Sequence, residues 1–462
     1  MLLTRTILEF LAAATLSGAA VLNANAQGAV AATPPMGWNS WDSYGLTVRE
    51  PDVKANAQWM ASHLEQYGWK YIVVDEGWYL QNPESGGKPA WNFTLGPDGL
   101  YRPAPNRFPS AQGAAGLKPL ADYVHSLGLK FGIHIIRGIP RQAVMQNLPI
   151  AGSSFRAKDA ANQADLCYWQ RPDSGNQSGQ KIYWNSDNYG VMANAAGQAY
   201  YDSMARLYAS WGVDLIKVDC ISSPYRAEQI HMISRALKNS GRQIVLSLSP
   251  GPTALTQAED VRKYAQMWRI SNDILDYWKG ADVNPGIRDQ FAVAANWAKY
   301  AGDGAWPDGD MLPIGYLGPG VSLPRQTRLT RDEQQSLITL WSMFRSPLMI
   351  GGNLPSSDQW TTSLLTNPDV IAVDQHSRAG HQVLSADNIV IWVAQGEKQG
   401  QQYLAVFNTG DARQTVRRAW KELELENTEY HLVNVWEHQD LGDRNSLALT
   451  LEPHACALYR VF

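Results

Sequence analysis

The sequence predicts an α/β chain, a (β/α)8 TIM barrel followed by a C-terminal antiparallel β-sandwich. From residue 35 to 352, short runs rich in Val, Ile and aromatics alternate with amphipathic helical stretches, the pattern of βα units around a parallel sheet. Eight such runs can be read, and eight strands close a barrel of this kind. After about residue 380 the pattern shortens to alternating strands separated by turns such as Asn408-Thr409-Gly410-Asp411, which suits an antiparallel sandwich.

Residues 1–26 read as a cleavable leader, with Arg5 in the positive region, an apolar run from Phe10 to Leu22 and a small-x-small site at Ala24-Asn25-Ala26. Cleavage after Ala26 implies a secreted or periplasmic protein. The barrel is expected over residues 33–375, with strands at Pro35–Tyr44, Tyr71–Trp78, Lys130–Ile136, Asp214–Ile221, Ile244–Pro250, Met267–Asp273, Trp306–Met311 and Ser346–Gly352. Outer helices are expected at Val53–Tyr67, Gly116–Leu127, Gly197–Trp211, Glu228–Asn239 and Arg331–Phe344, the last opened by the capping-box pattern Thr330-Arg331-Asp332-Glu333. The stretch Gln142–Asn194, rich in Gly, Asn, Asp and Ser, reads as a long βα loop after the third strand. The sandwich, residues 380–462, takes strands at Asn388–Val393, Gln402–Asn408, Glu429–Asn434, Leu447–Leu451 and Ala455–Val461.

Composition narrows the function classes. A net charge of −4 without any Lys/Arg cluster gives no field for a nucleic acid backbone, and no stretch after the leader reaches the roughly 20 apolar residues of a membrane span. The chain has 18 Trp and 20 Tyr against 9 Phe, a bias toward rings that stack on sugar C–H faces while still hydrogen-bonding. The histidines lack the spacing of a metal motif and there is no Gly-rich phosphate loop, so neither metal nor cofactor is expected.

In such barrels the C-terminal strand ends carry the chemistry. Asp75-Glu76, Asp219, Asp273, Asp308 and Asp310 all fall there. A lone strand-end Asp usually caps a helix or pairs with a cation. Several at one rim raise one another's pKa and cost stability unless they have a role.

The residues around them, Met36-Gly37-Trp38-Asn39-Ser40-Trp41, Val74-Asp75-Glu76-Gly77-Trp78, Lys217-Val218-Asp219, Trp268-Arg269 with Asp273, Trp306-Pro307-Asp308-Gly309-Asp310-Met311 and Arg345-Ser346-Pro347-Leu348, together resemble glycoside hydrolase family 27. That family holds α-galactosidases, α-N-acetylgalactosaminidases and β-L-arabinopyranosidases. The resemblance implies a retaining exo-glycosidase acting on terminal α-galactosyl residues of an oligo- or polysaccharide, with Asp219 as nucleophile and Asp273 as acid/base. Asp75, Lys217, Arg269 and Asp310 would grip the sugar hydroxyls, and Trp38 would be the platform under the ring. The physics is coherent with this. Lys217, two residues before Asp219 on the same strand face, favours an ionised nucleophile, and a negative Asp219 nearby favours a protonated partner. Retention requires the two carboxyl groups roughly 5–6 Å apart.

Three departures bear on the substrate. Glu76 stands where many α-galactosidases of the family have Asp, and its longer arm suits β-L-arabinopyranose, which lacks the hydroxymethyl group of galactose; a hydrogen bond to the C6 hydroxyl, or packing away from the site, are the alternatives. Ser249 stands where galactose-specific members often have Glu, leaving room for a 2-acetamido group. Cys220 directly follows Asp219, whereas the family's second site-proximal Cys comes two positions after the nucleophile. With only Cys167, Cys220 and Cys456 in the chain, a Cys167–Cys220 bridge and two free thiols both stay open. A rival of another class is a non-catalytic sugar-binding protein, against which the presence of both Asp219 and Asp273 argues.

Overall fold

The computed structural model describes residues 30–83, 92–167, 169–170, 181–182, 187–280, 284–320 and 323–462. The expected leader, residues 1–26, lies outside them. Eight parallel strands form one sheet: β1 (Met36–Asn39), β2 (Tyr71–Val74), β3 (Lys130–Ile136), β4 (Leu215–Asp219), β5 (Val245–Leu248), β6 (Met267–Arg269), β7 (Trp306–Asp308) and β8 (Leu348–Ile350). They are ordered β7-β6-β5-β4-β3-β2-β1-β8. A parallel bridge between Leu312 and Ile350 joins the two edges, which closes the barrel.

Alternation along the strands sorts the side chains. Tyr71, Val73, Leu215, Val245, Met267, Trp306 and Met349 make one small apolar cluster, sealed by Ala31, whose carbonyl accepts the Trp306 indole N–H at 2.9 Å. These residues face the lumen and fill its lower layer. Residues of the opposite parity, among them Trp38, Ile72, Ile133, Ile216, Val218, Leu246 and Trp268, belong to the large core beneath the helices. Further along seven of these lumen-facing rows the chemistry becomes polar, at Asn39, Asp75, His134, Lys217, Ser247, Arg269 and Asp308; His134, Lys217 and Ser247 are in register, as are Arg269 and Asp308.

Strands end earlier than the sequence suggests. Trp41–Tyr44 is a helical turn rather than part of the first strand, and the sixth strand stops at Arg269, so Asp273 sits four residues out on a loop. The cause is pairing: Arg269↔Asp308 is the last rung between β6 and β7, and beyond it the backbone hands its Ile274 N–H to the Asp310 carboxylate at 2.8 Å.

The outer helices are α1 (Glu50–His63), α2 (Lys118–Ser126), α3 (Ala195–Ser210), α4 (Ala227–Asn239), α5 (Ala258–Tyr264), α6 (Gln290–Trp297) and α7 (Arg331–Phe344). The two short ones, α5 and α6, escape the periodicity reading. At the start of α7 the capping box forms in both directions: Glu333 N–H donates to Thr330 Oγ1 at 3.3 Å and Thr330 N–H to Glu333 Oε2 at 2.7 Å.

The sandwich contains β9 (Arg378–Ala386), β10 (Ile389–Gln395), β11 (Gln402–Asn408), β12 (Gln414–Arg418), β13 (Tyr430–Asn434), β14 (Gln439–Arg444), β15 (Leu447–Leu451) and β16 (Cys456–Val461). The polar strands β9, β12 and β14 lack an apolar alternation and were not foreseen. In the six-stranded sheet β9-β10-β11-β16-β13-β14 the strands β10 and β11 are buried on both faces, while the edge strands β9 and β14 have no buried residue. Ile389, Ile391 and Val393 face the sandwich interior, while Val390, Trp392 and Ala394 join the barrel core.

Thr330→Ala removes half of the capping box and should lower stability by about 1 kcal/mol. Denaturant unfolding checks this, and an unchanged midpoint would show that α7 is held by its packing alone.

Candidate active site

Asp75, just past β2, is held by three hydrogen-bond donors. It accepts from Asn39 Nδ2 at 2.7 Å, Lys217 Nζ at 2.8 Å and the Glu76 N–H at 2.8 Å. Burial alone would raise its pKa, but the Lys217 and His134 charges and these hydrogen bonds outweigh it and hold the carboxyl well below the usual range. Lys217 is half-buried; desolvation works against its charge, yet Asp75, Asp219 and Asp310 hold its ammonium above its ordinary value.

Asp219 ends β4 on the same lumen-facing row as Lys217. Its Oδ2 lies 3.1 Å from His134 Nε2, and its Oδ1 accepts the Cys220 N–H. His134 is buried between two carboxylates, with Asp75 Oδ1 at 4.0 Å. Burial disfavours its charged form, yet Asp75 and the bond to Asp219 win and its pKa is raised. The spacing of histidines gives no hint of this residue's place; its lumen parity on β3 becomes telling only once the strands are paired and it stands in register with Lys217.

Donor atoms of Glu76, His134 and Asp219 lie within 4.8 Å of one another. Glu76 therefore turns into the site, which removes the outward-packing alternative. The trio has the composition of a metal site, although none was expected from spacing. Its donors are engaged otherwise: Asp219 holds the imidazole and a backbone N–H, and the Lys217 ammonium lies within electrostatic reach of Asp219.

Across the mouth, Arg269 bridges Asp310 at 2.7 Å and Asp273 at 3.1 Å. Asp310 has φ 103°, a region few residues other than Gly adopt. Its Oδ1 also accepts the Met311 N–H at 2.8 Å. Burial pushes the Asp310 carboxyl up, Arg269 pulls it down, and Asp273 and Asp308 push it up again. Asp273, by contrast, has a side chain 60% exposed and points into open space. Ser249, past β5, is buried; its N–H donates to Val218 O at 2.8 Å.

Trp38 is not a platform. Its side chain is fully buried in the outer core, its indole N–H donates to Gly352 O at 2.9 Å, and its ring meets Tyr44 edge-on. Strand parity explains the correction: Asn39 faces the lumen, so Trp38 cannot. Trp41, partly exposed, heads the next turn.

That turn also presents Asp42, which the sequence reading passed over. Burial raises its carboxyl to about 7; Asp273, Asp75 and Asp276 push the same way against Lys217. Because Asp42 feels both Asp75 and Asp273, the two halves of the site border one mouth. It makes no side-chain hydrogen bond among the described residues, and it rests against Gly351, where any Cβ would overlap its carboxylate. Cys167 and Cys220 are bridged, which ties the long loop after β3 to the residue following Asp219.

The sequence model described as alpha galactosidase A matches residues 176–376, and that of the alpha galactosidase C-terminal beta sandwich domain matches residues 386–461. A solved family 27 β-L-arabinopyranosidase from Geobacillus stearothermophilus is 44% identical over 94% of this chain and 97% of its own, with a TM-score of 0.85. This chain belongs to glycoside hydrolase family 27. Within the family it is also similar to a candidate α-N-acetylgalactosaminidase from Bacillus halodurans, 39% identical over 93% of this chain and 96% of that one, with a TM-score of 0.80. The α-galactosidase of Coffea arabica is 30% identical over 92% of this chain and 93% of the relative. The charged mouth is thus the active site of a glycoside hydrolase, and the fold is the barrel and sandwich of family 27.

The folded pKa of Asp42, about 7, stands far above that of a free carboxyl at about 4, so the folded state binds the extra proton and stability falls as pH rises between these values. Asp75 is shifted the other way; its contribution is complete above pH 4 or so and is lost only in stronger acid. Asp42→Asn should therefore flatten the decline of the melting temperature between about pH 4 and pH 7. Parallel curves for the two proteins would contradict the assignment.

Proposed function

We propose that this chain is an exo-acting retaining β-L-arabinopyranosidase that forms a covalent glycosyl-Asp219 intermediate. The observation that carries the substrate choice is Glu76. Its carboxylate sits beside Asp219 and His134, and on this reading it fills the space that the hydroxymethyl group of a galactoside would need. The 44% identity to an arabinopyranosidase, against 30% for the coffee α-galactosidase, supports the same choice. α-Galactosidase activity is the second reading, favoured by the family model that matches half the barrel. The small Ser249 keeps N-acetylgalactosaminides within the set to be assayed.

The roles follow from the charges. Asp219, fixed by His134 on one oxygen and a backbone N–H on the other, is placed to attack the anomeric carbon. Asp273 gives its proton to the departing glycosidic oxygen as the C–O bond breaks. It then takes a proton from the water that hydrolyses the ester at Asp219. Asp75 and Lys217 bind hydroxyls on one side of the ring, Arg269 and Asp310 on the other, and Trp41 takes the platform role assigned earlier to Trp38. Export as a mature chain beginning at Gln27 is part of this proposal, and the Cys167–Cys220 bridge suits an oxidising compartment.

Nitrophenyl β-L-arabinopyranoside should be hydrolysed faster than nitrophenyl α-D-galactoside or the α-N-acetylgalactosaminide; a faster galactoside would reverse the first two readings. Asp219→Ala should abolish turnover of all three, and equal rates with wild type would remove the enzyme assignment for this site. Glu76→Asp should raise the galactoside/arabinopyranoside rate ratio about tenfold, the scale of one methylene in a pocket. An unchanged ratio would show that Glu76 does not set tolerance at C6.

A further inference from the structure

The loop from β6 to α6 carries Asp273, whose side chain is bonded only to Arg269 among the described residues. Where that carboxyl stands is therefore decided by the loop's backbone, and the loop is fastened at three successive places. Ile274 N–H is held by Asp310 at 2.8 Å. Asp276, buried, accepts from Arg325 Nη2 at 3.0 Å and from the Arg328 N–H at 2.7 Å. The third fastening comes from the other domain. Trp278, only 6% exposed, lies flat on His454 of the β15–β16 turn, with ring centroids 4.4 Å apart and planes 17° apart.

His454 is itself held rigidly. Its Nδ1 lies 2.7 Å from Glu333 Oε1 of α7, its Nε2 lies 3.0 Å from Asp411 Oδ1, and its carbonyl accepts the Ser336 hydroxyl at 2.6 Å. Its φ is 64°, so the turn presents the ring in a conformation few side chains favour. Lys279, next to Trp278, reaches the same Asp411 at 2.8 Å. The far end of the loop returns to Trp278, whose carbonyl accepts the Arg288 N–H at 2.8 Å.

We propose that His454 of the sandwich is a positioning residue for the proton donor: stacked on Trp278, it fixes the β6–α6 loop and so sets where Asp273 stands relative to the glycosidic oxygen. The inference rests on Asp273 as the acid/base. It gives the C-terminal domain a part in the reaction. The steps in which Asp273 delivers or takes a proton depend on it; attack by Asp219 on a substrate whose leaving group departs unprotonated, the step that kcat/KM reports, does not.

The test compares two substrates with the same sugar, a dinitrophenyl glycoside that needs no proton and an alkyl glycoside that does, on wild type, His454→Ala, Trp278→Ala and Asp273→Ala. Inactive or misfolded protein lowers both rates alike and cancels in their ratio. In His454→Ala and in Trp278→Ala, kcat/KM for the alkyl glycoside should fall about tenfold or more and that for the dinitrophenyl glycoside less than about threefold. Equal losses on both substrates, or no loss on either, would overturn the positioning role. If Asp273→Ala is selective for the alkyl glycoside and the other two variants are not, His454 alone is dismissed. If Asp273→Ala is itself unselective, the acid/base assignment falls and takes the inference with it.

Discussion

The ion pair between Lys217 and Asp75, closed at 2.8 Å inside the barrel mouth, sets the terms for everything around it. Two unit charges 4 Å apart interact by about 4 kcal/mol in surroundings of intermediate polarity, so the carboxylates gathered here would expel one another or stay protonated without a cation among them. Lys217 acts on Asp75, Asp219, Asp310 and Asp42 together. Arg269 does the same work for Asp273, Asp308 and Asp310 on the opposite side. His134 stands between Asp75 and Asp219, its Nε2 4.0 Å from Asp75 Oδ1 and 3.1 Å from Asp219 Oδ2. Negative charge can then be concentrated where a positive anomeric carbon develops, with the dipoles already oriented.

The arrangement is a product of strand alternation. Most lumen-facing rows start apolar and turn polar toward the C-terminal end of the strand: Tyr71, Val73, Asp75 on β2; Leu215, Lys217, Asp219 on β4; Met267, Arg269 on β6; Trp306, Asp308 on β7. The apolar layer anchors the polar one, and rigid strands place the charges more accurately than loops can. Asp273 is the exception, carried on a loop and open to solvent. A group that must exchange protons with a leaving group and with water is well served by that exposure.

Much of this was legible in the sequence because it follows local rules. The eight strand runs, the capping box at Thr330 and the gathering of Asp75, Glu76, Asp219, Asp273 and Asp310 at strand ends depend on period and order, which a single chain displays, whereas Arg269 came with the family resemblance. Trp38 was misplaced although parity with Asn39 would have corrected it. Asp42, His134 and the end of β6 were beyond reach for another reason. Asp42 becomes notable only through Gly351 and the charges across the mouth, His134 through Asp219, which lies 85 positions away, and β6 stops where its neighbour stops offering rungs. The polar strands β9, β12 and β14 are set by pairing with partners, not by their own alternation. The Cys167–Cys220 bridge depends likewise on how the long loop folds back.

Everything proposed for this mouth turns on a covalent bond between Asp219 and the sugar. Incubation with a 2-fluoro arabinopyranosyl fluoride, which slows breakdown of a glycosyl-enzyme more than its formation, followed by proteolysis and mass spectrometry, examines it most directly. The account predicts a single fluoroglycosyl group on Asp219. A label on any other carboxylate, or an enzyme that consumes the reagent without ever carrying one, would contradict it.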